Sequence, residues 1–135
     1  MIDFTTKLGV SAAKRLQTEH LIWLTTTSSN GTPQPNPVWF YWDGESILIY
    51  SQPASFKLGN IRRNPKVSLN FNADEEGGNI IVLTGVASID ENPKHDSRFI
   101  EKYREAIPKI EHTAESLAAA YSVQIRIIPS NLRGF

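Results

Sequence analysis

The sequence predicts a mainly β fold of the α+β kind: a small barrel of six antiparallel strands with peripheral helices. Three observations carry this. Apolar, β-branched stretches such as HLIWLTTT (20–27) recur along the chain at strand length. Turn chemistry joins several of them, most plainly at Asn30-Gly31 and Asp43-Gly44. A parallel doubly wound sheet would need a helix after nearly every strand, and this chain lacks them.

Taken in order, Ser11 to Glu19 reads as a short helix, with Ser11 as N-cap and Ala12, Ala13 and Leu16 suited to its interior. His20 to Thr27 is the first strand. The turn Ser28-Ser29-Asn30-Gly31 leads into a second strand from about Thr32 to Trp42. Asp43-Gly44 turns the chain back into a third, Ile47 to Ser51. A basic helix follows over Phe56 to Asn64, stopped by Asn64-Pro65 because the residue before proline avoids the α region. Lys66 to Phe71 and Asn79 to Ile89 are the fourth and fifth strands, separated by an acidic, glycine-rich loop at 73–78. Pro93 to Ala106 is helical, with Pro93 near the first position and Phe99 and Tyr103 on one face. Pro108 ends that helix, Thr113 to Ala120 adds another, and Tyr121 to Ile128 is the last strand.

Composition bounds the function. The chain has 135 residues, the size of one domain, and no linker or repeat divides it, so 1–135 is expected to be a single unit. Lysine plus arginine and aspartate plus glutamate number 14 each. That balance argues against a broad nucleic-acid surface but allows a local basic cluster for one small anion. There is no cysteine, which removes disulfides, thiolate metal sites and cysteine nucleophiles. No apolar run approaches the ~20 residues of a membrane span, and the N-terminus has no signal core. A cytoplasmic protein with no membrane partner is expected.

Two stretches ask for explanation. In TPQPNPVWFYW, prolines 33, 35 and 37 remove three backbone donors from one side of an extended strand, so its first half must be an edge. Guarding that edge against aggregation is a sufficient reason for them. Residues 38–42 are then all large and apolar, so both faces of the strand need cover. A helix, a second copy of the chain or a planar ligand would serve, and a symmetric dimer does so most simply. The second stretch is SQPASFKLGNIRRNP. Ser55 sits as an N-cap, Lys57 and Asn60 share a face, and Leu58 and Ile61 form an apolar stripe beside it. The free amides and positive end of such a helix suit an anion, with Ser51, Gln52 and Ser55 as added donors. A solvated helix face explains the same residues, and Arg62 and Arg63 complement the C-terminal end of the dipole.

The ordered set KRLQTEHLIWLTT, NGTPQPNPVWFYWDG, ILIYSQPASFKLGNIRRNPKVSLNF and VLTGVASI resembles the pyridoxamine 5′-phosphate oxidase-like flavin-binding split barrels. Within them it is most similar to the short flavin- or deazaflavin (coenzyme F-420)-dependent reductases, over about Lys14 to Phe135. The resemblance implies a six-stranded antiparallel split β-barrel that forms a homodimer, with FMN or, alternatively, F-420 bound at the subunit interface. It places the phosphate at Ser51, Ser55, Lys57 and Asn60, flanked by Tyr50 and Gln52, and the ring along Asn36, Pro37, Val38 and Trp39. Asn79 matches a position where relatives carry a glutamine that reaches the ring. Arg126, Arg133 and Phe135 are the residues a second subunit would add.

The departures narrow the activity. Authentic pyridoxamine phosphate oxidases carry Arg and Lys on the strand matching Asn36 to Tyr41, which is apolar here, so oxidation of pyridoxamine phosphate is not expected. What remains is an oxidoreductase acting on a small organic molecule, or a non-catalytic flavin-binding, storage or interaction module. In such an enzyme the coenzyme carries the hydride and the protein orients it, so no catalytic dyad is required. Tyr121 is either a proton donor or a core residue. His20, His95 and His112 stand apart and read as surface or capping residues. His112 and Glu115 alone fall short of the three protein ligands a zinc site needs, so no metal is expected.

Overall fold

A computed structural model describes residues 1–135. Its elements run α1 (Lys7–Thr18), β1 (Ile22–Thr27), β2 (Pro33–Val38), β3 (Tyr41–Trp42), β4 (Ile47–Ser51), α2 (Phe56–Arg63), β5 (Lys66–Asn70), β6 (Ile81–Asp90), α3 (Ser97–Lys102), a 3₁₀ turn (Ile107–Ile110), α4 (Ala114–Ala120) and β7 (Val123–Gly134). All strand pairs are antiparallel, in the order β2-β1-β5-β6-β7-β4-β3.

The curl of this sheet follows from chain connectivity. β2 and β3 are its two opposite edges, yet only Trp39 and Phe40 separate them in sequence. Three virtual bonds reach at most about 11 Å, so the edges are forced together and the sheet rolls into a split barrel. The seam between those edges has no strand pairing across it.

Seven strands replace the six predicted, because the expected second strand, Thr32 to Trp42, breaks in its middle. The break has a definite cause. The Phe40 N–H donates to the Tyr103 hydroxyl at 2.8 Å, and the Phe40 carbonyl accepts from Lys102 Nζ at 2.7 Å. The Tyr103 hydroxyl can also donate to Phe40 O (3.0 Å) or His20 O (2.7 Å). Side chains from the end of α3 thus satisfy backbone groups that a continuous strand would have used. The ring of Trp39 lies flat on Tyr103, at 4.4 Å and 2°.

The proline reading fits the register. Pro33, Pro35 and Pro37 pair opposite Thr27, Thr25 and Trp23 on the outermost strand and are exposed. Other boundaries moved. α1 begins at Lys7, capped by Thr6 accepting from the Gly9 N–H at 3.0 Å, so Ser11 lies inside the helix. The Pro93–Ala106 helix contracts to Ser97–Lys102 under the Asp96 cap. β7 runs six residues past Ile128, because β6 keeps pairing with it across a bulge at Thr84/Gly85. A Cβ on Gly85 would run into the Ile128 carbonyl, so glycine is needed there.

The barrel interior is filled by Leu24, Phe40, Ile49, Leu69, Leu83 and Ile125 with their neighbours, closed by Leu16 of α1 and Leu58 of α2. A second, smaller core forms outside β4, where Tyr50 packs under Phe99, Tyr103, Ile107 and Leu117. β4 is therefore buried on both faces. No helix is long and apolar enough to cross a membrane.

Candidate functional site

Beside Trp39 at the seam lies a cavity of about 390 Å³. Three segments wall it. The end of β2 supplies Pro37, Val38 and Trp39, and the β4–α2 junction supplies Tyr50, Ser51, Gln52, Ser55 and Lys57. The helical excursion between β6 and β7 closes the far side with His95, Phe99, Ile100, Ile110, Leu117 and Tyr121. Eight of the eleven residues expected in a coenzyme site thus share one space. Asn36, Asn60 and Asn79 do not.

The three asparagines have other employment. Asn36 sits in β2 opposite Leu24. Asn60 is buried; its amide donates to Thr26 Oγ1 (3.0 Å) and Gln34 Oε1 (2.7 Å) and accepts from Arg63 (2.6 Å). It ties α2 to the β1–β2 hairpin with both of its amide hydrogens committed. Asn79 is exposed in the left-handed region (φ 55°), its carbonyl accepting from Arg15 at 2.8 Å. Arg126 bonds Ser46 at 2.6 Å and Asp43 at 3.3 Å, outside the cavity. Arg133 and Phe135 lie at the far end of β7, where Phe135 pairs its backbone with Ile80.

The polar end of the cavity is electropositive. Lys57 joins none of the ion pairs, and its one hydrogen-bond partner is Ser55 Oγ at 3.1 Å. Burial alone pushes its amine below the ordinary lysine value. A half-buried cation with only a hydroxyl for company is unfavourable until an anion arrives. Ser55 holds N-cap geometry at α2 without capping it by a side-chain bond. The positive end of α2 therefore faces the same side as Lys57.

The other end is apolar and flat-sided. Tyr50 is held from both sides, its hydroxyl donating to Gln124 Oε1 (3.0 Å) and accepting from the Asp96 N–H (2.9 Å). Burial is the main cause of its raised pKa. His95 stacks on the Tyr50 ring at 4.4 Å and 20°, and Phe99 meets that ring edge-on at 4.8 Å. Together the two ends suit a molecule with an anionic tail and a planar apolar body. Of the far wall, the sequence singled out only Tyr121, as either a proton donor or a core residue, and it does line the cavity. The Phe99/Tyr103 spacing hinted that this helix covers something, whereas His95, read as a surface or capping residue, carried no local signal.

Comparison with known proteins agrees with this fold. The family model for pyridoxamine 5′-phosphate oxidase matches residues 11–133. Among solved structures, a Listeria innocua protein named as a candidate pyridoxamine 5′-phosphate oxidase is 24% identical, with a TM-score of 0.68 and coverage of 92% of this chain and 94% of that one. An F420 reductase is 23% identical, with a TM-score of 0.67 over 89% and 94% of the two chains. HutZ, a haem storage protein from Vibrio cholerae, is 19% identical, with a TM-score of 0.69 over 96% and 95%. At these identities the structural likenesses speak to the fold. A search of curated proteins finds no significant match.

Proposed function

The chain belongs to the pyridoxamine 5′-phosphate oxidase family, and from that premise we propose that it is an oxidoreductase holding FMN, or alternatively F-420, in the seam cavity. Its substrate is a small organic molecule that exchanges a hydride with the coenzyme ring. The single observation that carries this reading is Lys57, an unpaired, half-buried cation at one end of a cavity whose other end is apolar. Lys57, Ser51 and Ser55 would hold the phosphate, while Val38 and Trp39 would lie along the ring. When bound, the coenzyme supplies the redox chemistry; the protein orients it and keeps water from its face. A second copy of the chain would cover the open side, making a homodimer in the cytoplasm.

A second reading, a non-catalytic binding or storage module, is favoured by the size of the cavity. Its volume of about 390 Å³ is near the lower end of the ~300–1,000 Å³ range for small-molecule sites. One protomer thus offers room for a single occupant, and a substrate would need space supplied by the partner.

The visible spectrum of the purified protein, followed by fluorescence titration with FMN and with F-420 separately, tests both readings. Micromolar or tighter binding of either coenzyme, with turnover of bound reduced coenzyme by an added acceptor, is the expected result. Binding without turnover would support storage. Binding of neither would remove the coenzyme from this cavity.

A further inference from the structure

Four titratable side chains line the seam cavity: Tyr50, Lys57, His95 and Tyr121. Lys57 is assigned to the phosphate at the electropositive end, and both hydrogen-bonding directions of the Tyr50 hydroxyl are taken by Gln124 and the Asp96 N–H. His95 differs. One of its nitrogens, Nε2, lies 2.8 Å from the Tyr121 carbonyl oxygen. A carbonyl only accepts, so Nε2 carries the hydrogen, and the ring is further fixed by its stack on Tyr50. Nδ1 is then the nitrogen free to gain or lose a proton.

His95 also borders a second, more open and polar cavity of about 320 Å³, with Lys94, Asp96, Ser97, Gln124 and Arg126 around it. No other residue lines both spaces. The imidazole therefore borders the seam cavity and a more open, charged recess. The charges facing it are Lys57 across the first cavity, and Lys94, Asp96 and Arg126 around the second.

We propose that His95 is the proton-exchanging residue of the site, taking up a proton at Nδ1 as the bound coenzyme is reduced and handing it to the acceptor. The inference rests on the coenzyme reading given above. An acceptor that receives a hydride, two electrons and one proton, at one atom needs a second proton at its neighbour. The imidazolium Nδ1–H gives that proton and becomes neutral while the reduced coenzyme is oxidised. His95 then stays neutral until the next reduction, when its proton is drawn from solvent through the outer recess.

The test uses the full chain loaded with FMN. Dye-equilibrated reduction between pH 5.5 and 8.5 counts the protons taken up per two electrons in wild type and in His95→Gln, which keeps an amide donor toward Tyr121. Both proteins are compared at saturating FMN, and wild type is expected to take up as much as one more proton than the variant over part of that range. In the ligand-free protein, ¹⁵N NMR should find the hydrogen of neutral His95 on Nε2. Equal proton counts in the two proteins, or an Nδ1–H tautomer, would overturn the assignment to His95 alone. If His95→Gln fails to fold by circular dichroism, His95→Asn takes its place in the same measurement. Failure of wild type to bind FMN would instead overturn the coenzyme reading, and this inference with it.

Discussion

Lys57 and Lys102 are both amines that burial holds below the ordinary lysine value, and they differ in what surrounds them. Lys57 waits on an anion. Replacing it with alanine is expected to weaken FMN binding by ~1.5–3 kcal/mol, the worth of a charged hydrogen bond, as read by fluorescence titration. An unchanged Kd would exclude Lys57 from the site. Lys102 is already committed, donating to Phe40 O and sitting 3.6 Å from the centre of the Phe40 ring. Desolvation lowers it to about 8, against 10.5 for a free lysine. Between those values the unfolded chain binds more protons than the folded one, so this group adds stability as pH rises through the window. Below about pH 8 the buried charge is a standing cost. Urea unfolding at pH 7 and pH 9.5 should therefore show wild type gaining on Lys102→Met at the higher pH. A constant difference would mean that the ring and carbonyl contacts offset the desolvation.

At the scale of elements, what was local was legible. Ile47–Ser51 matches its predicted bounds and α2 is within one residue, since Ser55 and Asn64-Pro65 mark the helix ends in sequence. Tertiary partners decided the rest. The break at Trp39–Phe40 depends on Tyr103, some sixty residues away, and nothing in PVWFYW announces it. The tail of β7 contains Pro129, Ser130 and Asn131, residue types that are poor in strands, and lies past the predicted end at Ile128, yet β6 pairs with it across a bulge. For the same reason the site was half visible: the β2 and β4–α2 walls are contiguous motifs, whereas His95, Ile110 and Leu117 meet them only after folding. Tyr103→Phe tests the long-range tie. It leaves the buried Phe40 N–H without its partner, which should cost ~1–3 kcal/mol in urea denaturation. The emission of Trp39, stacked on that ring, should change with it, provided Trp23 and Trp42 are first replaced by Phe. An intact melt with unaltered emission would show that α3 does not hold the break.

For the whole molecule, the exposed apolar residues argue for company. Val86 and Ile128 are cross-strand partners on the outer face of the barrel and are 55% and 52% exposed. Ile110 stands at 45% in the wall of the cavity. Light scattering coupled to size exclusion is expected to return about twice the 15.1 kDa of one chain. Val86→Lys with Ile128→Lys should shift the mass toward one chain if that face joins the copies. A single-chain mass for wild type would leave each cavity to be completed without a twin.

The strand order carries one more consequence. Laid flat, the sheet is a ribbon whose two selvedges are sewn to one another by a single stitch, Trp39–Phe40. Anything seated against Trp39 leans on that stitch. Filling the pocket should therefore stiffen both margins of the cloth together, although by pairing they are the two most distant strands. Slower amide exchange at Val38 and at Tyr41 on loading would register that tension.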